Sequence, residues 1–371
     1  MTKKRGRELG LPFLGKTGPH NAITDVSGVE VGFTTITEGK DDAENKKGVQ
    51  TGVTAILPKG RLAPPAYLYA GLHALNGNGE MTGAHWIDDA GYFVSPICIT
   101  NTHSVGMVHH ATLKWMIERH SDFFQKADRF VLPVIAETYD GLLNDIHGQH
   151  VTEQHVLAAL DEAKGGPVAE GNVGGGNGML TYEFKGGTGT SSRHIIIDDQ
   201  SYTVGVLVQS NFGKRQDFTV CGVPIGRMMP EDTILDQINA NEFGSIIVII
   251  ATDAPLIPSQ LKRVAKRAGL GLARTGALAA NSSGDIFFAF STAQDAVDLS
   301  DTKISRSVDV LEDAKLDHIY RGARDATEEA IINAMLAAET SHSVSPPGIT
   351  AYAVDHEKLL DQVLSHHPKG L

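Results

Sequence analysis

The chain has 371 residues, of which 41% are hydrophobic and 20% charged, and its formal net charge is -12. This length fits one large domain or two ordinary ones, and the hydrophobic content is enough to bury a full core. The acidic net charge argues against nucleic-acid binding through a basic face. Two cysteines are too few for a disulfide scaffold, and no apolar run is long enough to span a membrane.

The first half of the chain alternates short apolar runs with amphipathic ones. The patterns predict strands at Val53–Leu57 and Phe130–Ile135 and helices at Val105–His120 and Thr152–Lys164, the second helix with Thr152 as N-cap. The segment Gly186–Arg193 is rich in glycine, serine and threonine, and we expect it to be a loop. The basic N-terminal segment has no apolar core of signal-peptide length, so we expect a cytoplasmic protein.

The second half of the chain predicts a hairpin and two buried strands. His194–Ile197 and Tyr202–Val208 form the expected hairpin, and Ile246–Ala251 is apolar at every position, which is typical of a strand covered on both faces. A further strand is expected at Asp285–Phe290. Helices are expected after Ser259, as N-cap, and at Ala326–Glu339. Strands and helices mixed in this way favour an α+β class with sheets covered by helices.

Several familiar motifs fail on their context. Gly10–Thr17 matches the phosphate-loop pattern, but no buried strand precedes it and no helix follows. The chain contains no GxSxG and no HExxH. His103, His109 and His110 could hold a metal in principle, but surface or capping histidines are the simpler interpretation, and we expect no metal and no organic cofactor.

The most informative position is Ser245, which follows Gly244 and directly precedes the all-apolar strand. If the Gly244–Ser245 bond were cut, Ser245 would own an α-amine within reach of its own hydroxyl. A free α-amine has a pKa of about 7.7–8.0 and can act as a base at neutral pH. This arrangement is that of an N-terminal nucleophile. On these residues alone, a turn that ends in a polar strand start remains an alternative.

The rest of the sequence resembles the DmpA-type family of L-aminopeptidase/D-esterases and β-peptidyl aminopeptidases. The resemblance spans nearly the whole chain and is carried by motifs in one order: RELGLPF, NAITDVSGVEVGFTTI, GVTAILP, ETYDGLLND, GNVGGGNGM, LVQSNFG, GSIIVIIATDAPL, NSSGDIFFAFST and AIINAMLAAET.

This resemblance implies a fold, a processing event and an assembly. The implied fold is a four-layer αββα sandwich that is similar to the N-terminal-nucleophile hydrolases in layering but differs in strand connectivity. The chain is expected to be a single domain, residues 1–371, that cuts itself at Gly244–Ser245 into an α chain, residues 1–244, and a β chain, residues 245–371. The cleaved protomers are expected to form a homotetramer.

The resemblance also assigns roles around Ser245. Asn211 and Tyr139 would donate hydrogen bonds to the oxyanion, although a turn asparagine and a structural tyrosine are the alternatives. Glu137 would bind the substrate's ammonium group by a charge-assisted hydrogen bond, with a surface carboxylate as the alternative. Ser283 and Asp285 match family positions that contact the nucleophile and its amine.

We therefore expect a self-processing serine aminopeptidase that releases N-terminal residues from short peptides, amides or esters through an acyl-enzyme. Asp285 favours the aminopeptidase/D-esterase type, because some β-peptide-cleaving members carry glutamate at this position. The alternatives are a β-peptide-specific aminopeptidase, an acyltransferase similar to ornithine acetyltransferase, and an uncleaved scaffold protein.

Overall fold

The computed structural model describes residues 3–39, 48–126, 128–239, 244–297 and 304–366. Its strands are β1 (Glu30–Glu38), β2 (Val49–Leu57), β3 (Leu68–Ala74), β4 (Tyr92–Phe93), β5 (Ile97–Asn101), β6 (Val134–Thr138), β7 (Leu180–Thr181), β8 (Phe184–Lys185), β9 (Gly187–Ile197), β10 (Gln200–Asn211), β11 (Ser245–Thr252), β12 (Gly284–Asp295), β13 (Ser341–Val344) and β14 (Pro347–Ala351). Its α-helices are α1 (Gly6–Leu9), α2 (Ala84–Ala90), α3 (Val105–Arg119), α4 (Glu153–Asp161), α5 (Ile225–Met228), α6 (Ile234–Gln237), α7 (Pro258–Arg274), α8 (Leu316–Ala337) and α9 (His356–His366).

Most strands of the described residues belong to one of two mixed sheets. The first sheet has the order β1-β2-β5-β6, in which only β5 and β6 run parallel. The second has the order β4-β3-β12-β11-β10-β9, in which only β12 and β11 run parallel. Strand β11 therefore lies in the interior of the larger sheet, with a partner on each side.

Apolar cores separate four layers. One core lies between the two sheets and includes Ile99 of the first sheet and Ile247 of the second. A second core joins the larger sheet to α7 and α8, and a third joins the smaller sheet to α3 and α4. The order is thus helices, sheet, sheet, helices, and the predicted α+β class with αββα layering is confirmed.

Strand β11 is the apolar run predicted from the sequence, and it is covered on both faces. All of its residues are buried. Ile246, Val248 and Ile250 pack toward the helices, whereas Ile247 and Ile249 pack toward the other sheet. Since side chains alternate along a strand, both faces must be apolar when both are covered.

The predicted loop at Gly186–Arg193 is wrong, because this segment forms most of β9. Its small residues allow helix α8 to pack closely against β9. A Cβ placed on Gly189 would fall 2.7 Å from the Ala334 Cβ of α8, so the helix can approach the strand only because no side chain is present. The expected hairpin is confirmed as β9 and β10, with a turn at Asp198 and Asp199.

Some of the predicted ends of helices and strands agree with the structure, and others do not. Thr152 is the N-cap of α4, as predicted. The prediction for Ser259 is wrong, since α7 begins at Pro258, with Ile257 as N-cap. Proline fits the first helical position because its missing N–H would have no partner there. The strand expected at Phe130–Ile135 begins only at Val134, just after Pro133. No helix among the described residues is long and apolar enough to cross a membrane.

Candidate active site

Ser245 is the first residue of β11 and lies between two neighbouring strands. It pairs with Asn211 at the end of antiparallel β10 and with Gly284 at the start of parallel β12. Its exposed fraction is 4%. By strand alternation the Ser245 side chain shares a face with Ile247, which belongs to the core between the sheets. The hydroxyl is therefore held at the end of the inter-sheet layer by a rigid backbone.

The carbonyl of Gly244 lies beside this hydroxyl. Ser245 Oγ donates to the Gly244 oxygen at 2.7 Å. The N–H of Gly284 is shared: its nitrogen is 3.2 Å from the Gly244 oxygen and 3.3 Å from Ser245 Oγ. A Cβ on Gly244 would fall 2.8 Å from Phe212 Cα, which explains why a residue without a side chain stands here. The arrangement brings together a hydroxyl, a carbonyl and an N–H donor.

Ser283, just before β12, and Asp285, in β12, lie near the backbone of Ser245. Ser283 Oγ donates to Asp285 Oδ1 at 2.6 Å, and the Asp285 carboxylate also accepts from the backbone N–H of Ile246. Asp285 shares its strand face with Phe287, which packs toward the helices. The carboxylate thus lies on the opposite side of the sheet from the Ser245 hydroxyl, next to the backbone that carries the Ser245 nitrogen.

Asn76 is a residue of this group that the sequence analysis missed. Its amide nitrogen donates to Asp285 Oδ2 at 3.0 Å and to the backbone oxygens of Ala279 and Ala280 at 2.9 and 3.0 Å. Burial raises the pKa of Asp285, and the hydrogen bonds from Ser283, Asn76 and the Ile246 backbone act in the opposite direction. The only sequence signal was the asparagine- and glycine-rich stretch that follows β3.

Asn211 has a fixed side-chain amide. Its Nδ2 donates to the carbonyl of Tyr139 at 2.9 Å, and its Oδ1 accepts from the N–H of Leu180 at 2.8 Å. The residue is 5% exposed. An amide nitrogen carries two hydrogens, and the contact with Tyr139 uses one of them. Asn211 is therefore more than a turn residue, because two other segments hold its orientation next to Ser245.

Tyr139 contacts Asn211 through its backbone carbonyl. Its carbonyl accepts the Asn211 amide, while its side chain is 41% exposed. The phenol ring lies over Gly141, where an added Cβ would overlap the ring and its hydroxyl. Gly141 is thus required for the present position of the tyrosine side chain.

Glu137 is buried, with an exposed fraction of 3%, so it is not a surface carboxylate. Its Oε1 accepts from the N–H of Glu80 at 3.0 Å, and its Oε2 accepts from the hydroxyl of Thr102. Burial raises its pKa, and these two hydrogen bonds oppose that effect.

Gly79 lies between Glu137 and strand β12. A Cβ on Gly79 would lie 3.3 Å from Glu137 Oε1 and 3.3 Å from the Cα of Gly284, the strand partner of Ser245. The carboxylate and β12 are therefore separated by the width of one residue that has no side chain. The sequence analysis did not single out Gly79 or Gly284.

Among the residues that the structure describes, no group of three or more histidine, cysteine, aspartate or glutamate side chains is placed to hold a metal ion. The carboxylates near Ser245 are instead held by hydroxyl, amide and backbone N–H donors. The site contains the Ser245 hydroxyl beside the Gly244 carbonyl, hydrogen-bond donors and buried carboxylates.

Two solved structures that align with this chain are those of aminopeptidases. The L-aminopeptidase D-Ala-esterase/amidase of Ochrobactrum anthropi, described as a prototype for the serine aminopeptidases and a variant of the Ntn hydrolase fold, aligns with a TM-score of 0.92 and 50% identity, covering 98% of this chain and 99% of that one. A Burkholderia sp. beta-aminopeptidase aligns with a TM-score of 0.88 and 41% identity, covering 99% and 100%. The fold is that of the serine aminopeptidases, and the chain belongs to this class of hydrolase.

Sequence comparison leads to the family. The beta-peptidyl aminopeptidase BapA of Sphingosinicella microcystinivorans is 48% identical over 367 residues, which is 96% of this chain and 90% of the relative. Its counterpart in Sphingosinicella xenopeptidilytica is 42% identical over 377 residues, 98% and 92% of the two chains. The sequence pattern of Peptidase family S58 matches residues 21–346. The chain belongs to this family, and the acyltransferase alternative is not favoured.

Proposed function

We propose that this aminopeptidase makes its own nucleophile by cutting the Gly244–Ser245 bond. The observation that carries the proposal is the contact of the Ser245 hydroxyl with the Gly244 carbonyl, at 2.7 Å, under a shared N–H donor from Gly284. The chain would act as a single domain of two segments, residues 1–244 and 245–371.

The first reaction is an N→O acyl shift followed by hydrolysis. Ser245 Oγ attacks the Gly244 carbonyl carbon, and the Gly284 N–H stabilises the negative charge on the carbonyl oxygen. The C–N bond breaks, and the proton of the hydroxyl ends on the departing nitrogen. Water then cleaves the Gly244 ester, which leaves a carboxylate on Gly244 and a free α-amine and hydroxyl on Ser245.

The second reaction uses the same hydroxyl on a substrate. The α-amine of Ser245 takes the hydroxyl proton as Oγ attacks the substrate carbonyl, and it returns a proton to the leaving amine or alcohol. Water releases the acyl group by the reverse sequence. Asp285 stabilises the protonated form of the amine, and Ser283, bonded to Asp285, orients the amine.

Three side chains prepare the substrate for attack. Asn211 donates to the developing oxyanion, and we propose that Tyr139 adds its phenol as a second donor. Glu137 binds the ammonium group of the substrate, which restricts turnover to chains with a free N-terminus. The burial of Glu137 near Gly284 supports this role, since a buried carboxylate gains most from a cationic partner.

The substrate class is short peptides, amides and esters with a free amino group. The two curated relatives are named for β-peptides and one solved relative for L-amino acids and D-alanine esters. We propose activity on α-amino acid amides and D-esters, supported by Asp285, with β-peptides as the second class to assay. We further propose a cytoplasmic homotetramer of cleaved protomers, on the strength of the family resemblance.

Intact-mass analysis tests the central proposal. Purified protein should contain two chains, residues 1–244 and 245–371, and Ser245→Ala should give one continuous, inactive chain. A continuous wild-type chain without activity would favour a scaffold protein. A Ser245→Ala chain that still splits at Gly244 would place the nucleophile elsewhere.

A further inference from the structure

A buried carboxylate outside the catalytic group holds the segment that leads to the cleavage site. Glu183 is 7% exposed and lies at the tip of the β7–β8 hairpin. Its Oε2 accepts from the backbone N–H groups of Ile234 and Leu235, at 2.7 and 2.8 Å. Its Oε1 accepts from the N–H of Arg215 at 2.8 Å. None of these contacts takes part in the chemistry assigned above.

Arg215 binds the same segment at two residues that precede Ile234 in the chain. Its guanidinium donates to the backbone oxygens of Met229 and Glu231, at 3.0 and 2.6 Å. It also donates to the carbonyls of Tyr182 and Glu183, and it stacks 3.3 Å from the Phe184 ring centroid. Burial lowers the pKa of Arg215 to about 10, and Glu183 acts in the opposite direction, so the group remains charged at neutral pH. We call Glu183 and Arg215 together the upstream anchor.

The hairpin that presents Glu183 is strained. Tyr182 and Glu183 have φ angles of 52° and 63°, in the left-handed region where residues with a side chain are disfavoured. The strain is held by packing, since the Tyr182 ring stacks on Phe218 and its hydroxyl contacts Thr275 at 2.8 Å. A strained turn that presents a buried carboxylate to a neighbouring segment indicates a specific task for that carboxylate.

We propose that the upstream anchor positions the Gly244 carbonyl for self-cleavage by fixing residues 229–235, a stretch that ends nine residues before Gly244. This inference rests on the proposed function. Attack requires the carbonyl carbon within about 3–3.5 Å of the hydroxyl, and a freely moving upstream chain reduces the time spent in that geometry. Glu183 and Arg215 are thus positioning residues for processing and are not needed once the bond is cut.

The test follows the appearance of the two fragments in freshly made precursor. We expect Glu183→Gln to slow splitting by about tenfold or more, because one charged acceptor of backbone N–H groups is lost. The mature enzyme that eventually forms should have kcat/KM within about twofold of the wild type. Glu231→Gln is the matched control, since the Glu231 carboxylate is exposed, lies on the same segment and pairs with Lys358 at 3.1 Å. It should split at the wild-type rate.

A second pair of variants leaves the buried carboxylate intact. Ile234→Pro removes one N–H that Glu183 binds, at the first position of α6, where proline is tolerated. Ile234→Val keeps the N–H and loses a similar part of the side chain. Slow splitting in Ile234→Pro, with near wild-type splitting in Ile234→Val, supports the anchor.

Three outcomes separate this inference from the function on which it rests. Wild-type chain that never splits overturns the proposed function itself. Wild-type chain that splits while Glu183→Gln and Ile234→Pro split equally fast overturns the anchor alone. A Glu183→Gln enzyme that, once cut, has lost turnover in the same proportion also overturns the anchor, because the residue would then support the active site and not the processing step.

Discussion

Asn211 and Ser245 lie directly opposite each other on antiparallel strands β10 and β11. Opposite residues in such a pair keep their Cα atoms about 4.5–5.5 Å apart, so the sheet places the Asn211 amide beside the Ser245 hydroxyl without help from a loop. The contacts of Asn211 with Tyr139 and Leu180 then fix which way the amide faces.

Replacing Asn211 by alanine should lower kcat by about 10²–10³-fold, with a smaller effect on KM, because an oxyanion donor acts mainly in the transition state. Steady-state kinetics on mature enzyme check this. Asn177→Ala is the control, since Asn177 is a buried amide that binds Ile36 and Thr37. An unchanged kcat in Asn211→Ala would remove Asn211 from the oxyanion site.

Glu137→Gln should raise KM for substrates with a free amino group by about tenfold or more, because the charge-assisted contact with the ammonium is lost. Wild-type enzyme should not turn over the same peptides after N-acetylation. Glu80→Gln is the comparison variant, since it keeps the backbone N–H contact with Glu137 and removes only a neighbouring charge that raises the pKa of Glu137. Equal rates on acetylated and free peptides would contradict the assigned role of Glu137.

Asp285→Asn should move the acid limb of the kcat/KM profile to lower pH. A carboxylate near the Ser245 amine stabilises its protonated form and so raises the pKa of the amine; without it the amine loses its proton at lower pH. The rate at the plateau should also fall. A pH profile of unchanged position, with only the plateau reduced, would mean that Asp285 does not act on the amine.

Asp140 should make stability depend on pH. It is fully buried, and burial raises its pKa to about 7, while polar contacts with Thr51, Asn144 and Asn101 act in the opposite direction. Because the folded-state pKa lies above the unfolded value, the stabilisation from the protonated form is complete below about pH 4 and is lost as the pH rises through about 7.

The corresponding measurement is urea unfolding of wild type and Asp140→Asn at about pH 5 and about pH 8.5. Wild type should lose more unfolding free energy over this interval than the variant, by an amount on the order of a few kcal/mol. Glu170, whose pKa burial also raises to about 7, is present in both proteins and cancels. Parallel losses in the two proteins would contradict the assignment.

The sequence pattern predicted the α+β class and the buried strand that starts at Ser245, because an apolar run covered on both faces leaves few choices for where a strand lies. The four-layer order was implied by the family resemblance. The sequence pattern did not predict the strand at Gly186–Arg193, because the small residues of this segment have the composition of a loop. In the structure they allow α8 to approach β9 closely. Asn76 was missed because its contact with Asp285 depends on the pairing of β3 with β12, and the Gly284 N–H because its contact depends on the parallel pairing of β11 with β12. Both pairings join distant parts of the chain.

N-terminal sequencing of the purified, active protein tests the central claim most directly. We predict two starting sequences, one from the beginning of the chain and one that reads Ser-Ile-Ile-Val from residue 245. Active protein with a single N-terminus and an unbroken bond between residues 244 and 245 would contradict the account.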